Sequence, residues 1–360
     1  MQNFIFTRYL YEKDEVKLSL LMSILKRKKD AVFWANELYY SGFKDELKTF
    51  LWTIYYDFFA TLNPAFNIYL LKQFKENGDN FAQLVENFMI RPFNLDVFML
   101  RHQVKIFEFE FEFEYSVDKQ LFDIKNEDYT GLASYILNNL LVADLDQYLV
   151  KAVDYFEKKG IKIKKKFIDD YNKMKKAAVC CPRIILLSQI LHLYSLDKKA
   201  KMGKNLYVSS DQTDVLENIN SLRVYKILES ACIYEIDSCN SISLFSLKRE
   251  NNDIKDAYLN KWLYYAFETP FWKEKIEKYG GQKNDTKKVI EFNEESDDFD
   301  NFHNLYNYEP DEQKKTTQDK SIRTLIKTVT WKSFYNEYQT KGIINIEDEF
   351  LEEFGNIIYF

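Results

Sequence analysis

Three histidines (His102, His192 and His303) and four cysteines (Cys180, Cys181, Cys232 and Cys239) are the residues of this chain best suited to bind a metal or attack a substrate. No histidine stands four residues from another His or Cys, and the cysteine spacing fits no zinc pattern. His192 falls inside the apolar run Ile184–Leu196, so it reads as a core histidine with its hydrogen bonds met, without a ligand role. The acidic run Asp297-Asp298-x-Asp300 could hold Mg²⁺ in principle, but a solvated acidic surface explains it more simply. The chain has no Gly-x-x-x-x-Gly-Lys, no Gly-x-Gly-x-x-Gly, no His-Glu-x-x-His and no Gly-x-Ser-x-Gly. The expectation is a protein with no catalytic residues, no cofactor and no metal.

The remaining chemistry is binding chemistry. Nine lysines lie between Lys158 and Lys176 against only Asp169 and Asp170; Lys158, Lys159, Lys162, Lys164, Lys165 and Lys166 lead the run. Phe167, Tyr171 and Tyr207 are interleaved with these and with a second cluster, Lys198, Lys199, Lys201 and Lys204. Cations beside aromatic rings suit the phosphates and bases of RNA or single-stranded DNA, while a solvated helix face is the plainer alternative. Tyr135, Leu140 and Leu141 have the spacing by which helical peptides dock on cap-binding translation factors, although Leu140 and Leu141 also suit the core of their own helix. Phe107 to Tyr115 alternates aromatic and glutamate, with Phe109, Phe111 and Phe113 on one face, as a half-buried strand does. That segment could lie on the helical surface, be offered to a partner, or be pulled into helix by packing. Asp297 and Asp298 belong to an acidic stretch that would serve a partner as an exposed arm.

These residues must be positioned by helices. Aromatic residues make up 17% of the 360, yet there are only 9 Gly and 5 Pro, too few for the turns of a sandwich or barrel. Leu18, Leu21, Met22 and Leu25 recur at helical spacing, as do Ala31, Trp34, Ala35 and Leu38, with Gly42 as a stop. Further helices are expected over 45–62, after Pro64, over 81–88, 94–101, 129–158, 184–196, 218–237, 251–279 and 321–338. Short connections predict antiparallel neighbours, and hence an irregular helical-repeat array, solenoid-like or HEAT-like, predominantly α with one or two minor strands at most. Residues 1–280 are expected as a helical scaffold with a sub-boundary near 105–128. Between Lys288 and Lys314 there is no Lys or Arg, so 281–320 reads as an acidic flexible linker before a helical 321–360. A net charge of −6 gives no whole-protein attraction to nucleic acid or anionic membrane. No apolar stretch approaches the ~18 residues of a membrane span, and the first residues lack the pattern of a secretory signal.

Several segments resemble a family of uncharacterised helical proteins encoded by nucleocytoplasmic large DNA viruses of the mimivirus and phycodnavirus kind. They are Ala31–Phe43, Arg91–Arg101, Cys181–Leu187, Met202–Val208 and Tyr308–Gln313. The resemblance implies a viral origin and a place in the host cytoplasm or virus factory, without implying an activity. The joint expectation is a non-enzymatic scaffold or adaptor that binds viral or host proteins. The alternatives are an RNA- or translation-factor-binding scaffold and a virion component.

Overall fold

The computed structural model describes residues 5–76, 80–106, 128–177, 180–209, 251–306, 310–312, 314–316, 318, 328–353 and 356–358. The alternating segment with Phe109, Phe111 and Phe113, the helix expected over 218–237, and Cys232 and Cys239 lie outside these residues. The described chain is predominantly α-helical, as its residue pattern predicts. In order come α1 (Lys13–Leu25), α2 (Asp30–Tyr40), α3 (Lys44–Ile54), α4 (Phe66–Glu76), α5 (Phe81–Met89), α6 (Asp96–Ile106) and α7 (Tyr129–Ser134). They are followed by α8 (Leu145–Lys158), α9 (Phe167–Lys176), α10 (Pro182–Asp197), α11 (Asn251–Asn260), α12 (Trp262–Ala266) and α13 (Pro270–Lys278). After the hairpin β1 (Gln282–Asn284) and β2 (Val289–Glu291) come α14 (Asp298–Tyr306), β3 (Thr328–Thr330), α15 (Trp331–Tyr338), α16 (Asp348–Glu353) and β4 (Asn356–Ile358). The strands form two antiparallel pairs, β1 with β2 and β3 with β4.

α1 is buried nearly all round, which places it inside the helical layer rather than on it. Its first turn is capped by the Glu12 carboxylate, which accepts from the Asp14 and Glu15 N–H groups at 2.9 Å. α2 packs on α1, α3 and α5, and its end is closed by Gly42 at φ +95°, where a Cβ would run into the Pro270 ring. α3 widens into a π turn at Tyr55–Phe59, and α7 does the same at Tyr135–Asn139. Each ends a helix that the residue spacing alone would carry further. The first turn places Asp57, fully buried, against Arg101 of α6. α10 begins with proline at its first turn, is buried from Ile185 to Ser195, and touches α6, α8, α9 and both π turns.

Two long-range seams close the structure. The N-terminal segment lies against α12 and α13: Thr269 Oγ1 donates to the Phe6 carbonyl at 2.5 Å, and Trp272 Nε1 donates to that of Thr7 at 3.2 Å. Arg8 and Glu37 add a buried ion pair at 2.9 Å. At the other end, the Asp96 carboxylate accepts from Gln339 Nε2 at 2.6 Å, Ile343 N at 3.2 Å and Ile344 N at 3.3 Å, pinning the chain after α15 to α6.

Residues 282–306 differ from the expected flexible linker. They form β1, β2 and α14, and Phe302 of α14 is fully buried, its ring 6.3 Å from that of Trp272. Phe292, Phe302 and Tyr306 punctuate the acidic run and anchor it to the core, leaving the carboxylates outward. The helix expected over 321–338 starts at Trp331, where Thr330 caps it by accepting from Ser333 N at 3.1 Å; residues 328–330 are β3.

Candidate functional site

The lysine-rich stretch begins where α8 stops. Gly160 at φ +89° turns the chain, with its own N–H bonded to the Glu157 carbonyl and that of Ile161 to the Phe156 carbonyl. Beyond it Ile161 and Ile163 are half-buried while Lys162 and Lys164 are exposed, the alternation of an extended segment with one face inward. This segment forms one wall of a cavity of 220 Å³. α9 contributes Phe167 and Met174; α10 contributes Gln189, His192 and Leu196 from one helical face; the first turn of α4 contributes Phe66 and Asn67.

Residues 202–207 supply the opposite wall, and the sequence explains how they are held. Gly203 N–H donates to the Leu62 carbonyl at 2.9 Å, in a gap where a Cβ would collide with Asn63 Oδ1. The Asn87 side-chain amide acts as a surrogate peptide: Nδ2 donates to the Val208 carbonyl at 2.8 Å, and Oδ1 accepts from Val208 N at 3.1 Å. Arg91 donates to the Leu206 carbonyl at 2.8 Å, and its guanidinium lies 3.8 Å from the centre of the Phe66 ring and 4.8 Å from that of Tyr207. Tyr207 stacks on Tyr69 at 4.4 Å and remains partly exposed.

The cavity floor is polar in a specific way. Asn67 is 1% exposed, and neither its Oδ1 nor its Nδ2 has a protein hydrogen-bond partner. Leaving such a group unmet costs about 1–3 kcal/mol. Burial pushes the His192 imidazole down to about 4, so the ring is neutral near pH 7. Its Nδ1 donates to the Thr61 carbonyl at 2.7 Å, a bond that assigns the proton to Nδ1 and leaves Nε2 as an acceptor.

The rim is cationic. Lys162, Lys164 and Lys204 line the cavity against one carboxylate, Asp170. A neighbouring depression of 280 Å³ shares Arg91, Met202, Gly203 and Lys204 with it. That depression adds Arg27, Lys201 and Lys341 and contains no carboxylate. The two form a continuous basic track on a protein whose net charge is −6.

Of the lysines singled out in the sequence, Lys162 and Lys164 reach this site; Lys158, Lys165 and Lys166 are exposed nearby. Lys159 is bound to Asp197 at 2.9 Å. Phe167 and Tyr207 line the cavity, whereas Tyr171 is fully buried and offers no stacking face. The translation-factor spacing does not form one helical face. Tyr135 opens the π turn, Leu140 leaves it in an extended conformation with its side chain in the core, and Leu141 is 64% exposed. Asp297 is exposed, and Asp298 accepts from Ser296 Oγ at 2.8 Å. Among the described residues no group of three or more His, Cys, Asp or Glu could hold a metal, and no helix is long and apolar enough to cross a membrane. Sequence reasoning missed Asn67, Gln189 and Arg91; its reading of His192 as a hydrogen-bonded core histidine agrees with the structure, in which the residue also lines the cavity. Single polar residues in apolar helices give no signal until the fold shows them facing one space. No protein-family model matches the chain, no curated protein matches it in sequence, and no solved structure matches its fold.

Proposed function

We propose that this protein is a non-enzymatic helical scaffold that carries single-stranded RNA along its basic track. The observation that supports this reading is the continuity of Lys162, Lys164, Lys204, Lys201, Arg27 and Lys341 across two adjoining depressions, with no carboxylate within ion-pair distance of any of them among the described residues. On a chain of net charge −6, cations left unpaired on one strip concentrate positive potential where a polyanion would lie. The partly aromatic lining, with Tyr207 accessible, favours a flexible single strand over a duplex. The resemblance of five segments to proteins of large DNA viruses would put the scaffold in a virus factory or host cytoplasm, within a translation or transcription complex.

The test is fluorescence anisotropy of the full chain with a labelled single-stranded RNA across a salt series. Each phosphate neutralised contributes about −0.7 to the slope of log K against log salt. Changing Lys162, Lys164 and Lys204 together to glutamate should flatten that slope by about 2 and weaken binding more than tenfold. Salt-independent binding, or a variant that binds like the wild type, would reject the track.

A second reading, a scaffold for protein partners, is favoured by the exposed apolar pair Leu141 and Val142, at 64% and 59%. It predicts that changing both to serine removes protein partners in a pull-down without affecting RNA; retained partners would reject it.

A further inference from the structure

We infer that the 220 Å³ cavity beside the track takes one unstacked nucleobase, whose phosphate rests on Lys162, Lys164 and Lys204. This rests on the RNA reading above and adds what the strand does at one point along the track.

The lining selects the chemistry. Phe66, Phe167 and Met202 supply apolar lining, with Phe66 beneath the Arg91 guanidinium and Phe167 packed on the His192 ring, and Tyr207 is the accessible ring at 40% exposure; a bare inorganic anion gains nothing from these. Asn67 brings an amide whose donor and acceptor are both unpartnered, Gln189 adds a second amide whose Nε2 donates to Ser188 Oγ at 3.4 Å, and His192 Nε2 offers an acceptor alone. A phosphate accepts only, so it would be repelled by that nitrogen and would leave the Asn67 amide oxygen unmet. An acyl chain would leave every polar group unmet. The edge of a nucleobase carries donors and acceptors on a flat aromatic body, and so matches the amides, the imidazole and the rings together. The Asn67 amide is the independent mark of a ligand here: fully buried, it has no protein partner for either atom, in a helical turn that opens on the cavity. The volume lies below the roughly 300–1,000 Å³ of pockets for drug-sized ligands, so one base fits and a stacked pair does not. The three lysines at the mouth then sit where the sugar-phosphate must emerge.

The experiment compares full-length wild-type protein with an RNA 12-mer, the same strand lacking all bases, AMP, and ribose 5-phosphate. Base–aromatic stacking makes the base-free strand about 5- to 150-fold weaker at an unchanged salt slope. AMP should bind where ribose 5-phosphate does not if free nucleotides are the natural occupant. Base dependence seen only with the strand assigns the strand as the source. Asn67→Leu and Gln189→Leu should each lose the preference for RNA over the base-free strand while still binding the latter. Asn67→Leu should also raise the Tm, because it removes an unmet buried amide. If neither variant folds, the four wild-type titrations decide. RNA and base-free strand bound equally, with AMP no better than ribose 5-phosphate, overturns the cavity inference and leaves the track standing. RNA not bound at all overturns both.

Discussion

Asp96 gives the most quantitative test of how the C-terminal part of the described chain is held. Its carboxylate is fully buried and accepts from Gln339, Ile343 and Ile344, with Asn94 Nδ2 at 2.8 Å as a fourth donor. Burial outweighs these bonds and pushes its pKa from 3.8 up to about 6. Because the folded value lies above the unfolded one, the folded state holds this proton more tightly. The associated stability is fully present below pH 3.8 and is lost as pH rises through about 6. The loss amounts to about 2 kcal/mol between pH 4 and pH 7. Asp96→Asn mimics the protonated side chain and has no such loss. In urea unfolding, the stability of Asp96→Asn minus that of the wild type should therefore increase by about 2 kcal/mol from pH 4 to pH 7, other carboxylates cancelling in the difference. Asp96→Ala removes the acceptors and should destabilise by about 3–5 kcal/mol near pH 7, releasing the chain after α15 to proteolysis. A difference between Asn variant and wild type that stays flat with pH would refute the reasoning, since it would mean the carboxylate is not held away from water.

Two further outcomes follow from the buried contacts. Glu37→Ala strands the Arg8 guanidinium in the core and should cost about 3–5 kcal/mol, whereas Glu37→Gln keeps an acceptor and should cost less; thermal melts of both give the ordering. Phe302→Ala should cost about 3–5 kcal/mol of anchoring and make residues 282–306 sensitive to limited proteolysis, while an unchanged digestion pattern would show that the acidic segment is held by other contacts.

The helical class and most helix starts were legible, because heptad-like apolar spacing and the stops at Gly42 and Pro64 are local signals. The endings of α3 and α7 were not. A π turn needs one wide hydrogen-bond register, and nothing in Tyr55–Phe59 or Tyr135–Asn139 announces it apart from the tertiary partners Arg101 and α10. The acidic run misled for a different reason. Counting its carboxylates hid Phe292, Phe302 and Tyr306, which are too far apart to form a full helical stripe but sufficient to dock one short helix. Half of the site was readable: lysines and rings in one stretch of sequence point to anions. The cavity was not, since Asn67 sits on α4, Gln189 on α10 and Arg91 in the turn after α5, and they acquire meaning only by converging.

The seam between Phe6–Thr7 and Thr269–Trp272 joins residues 263 and 265 positions apart. A ribosome adding about 5–20 residues per second needs roughly 15 to 50 seconds to bridge that interval. Throughout that time the surface of the first helices that α12 and α13 will cover stays open. A nascent chain of this protein thus carries an uncovered aromatic face for most of its synthesis, and the moment Trp272 clears the exit tunnel is the earliest at which the N-terminal segment can be locked in place.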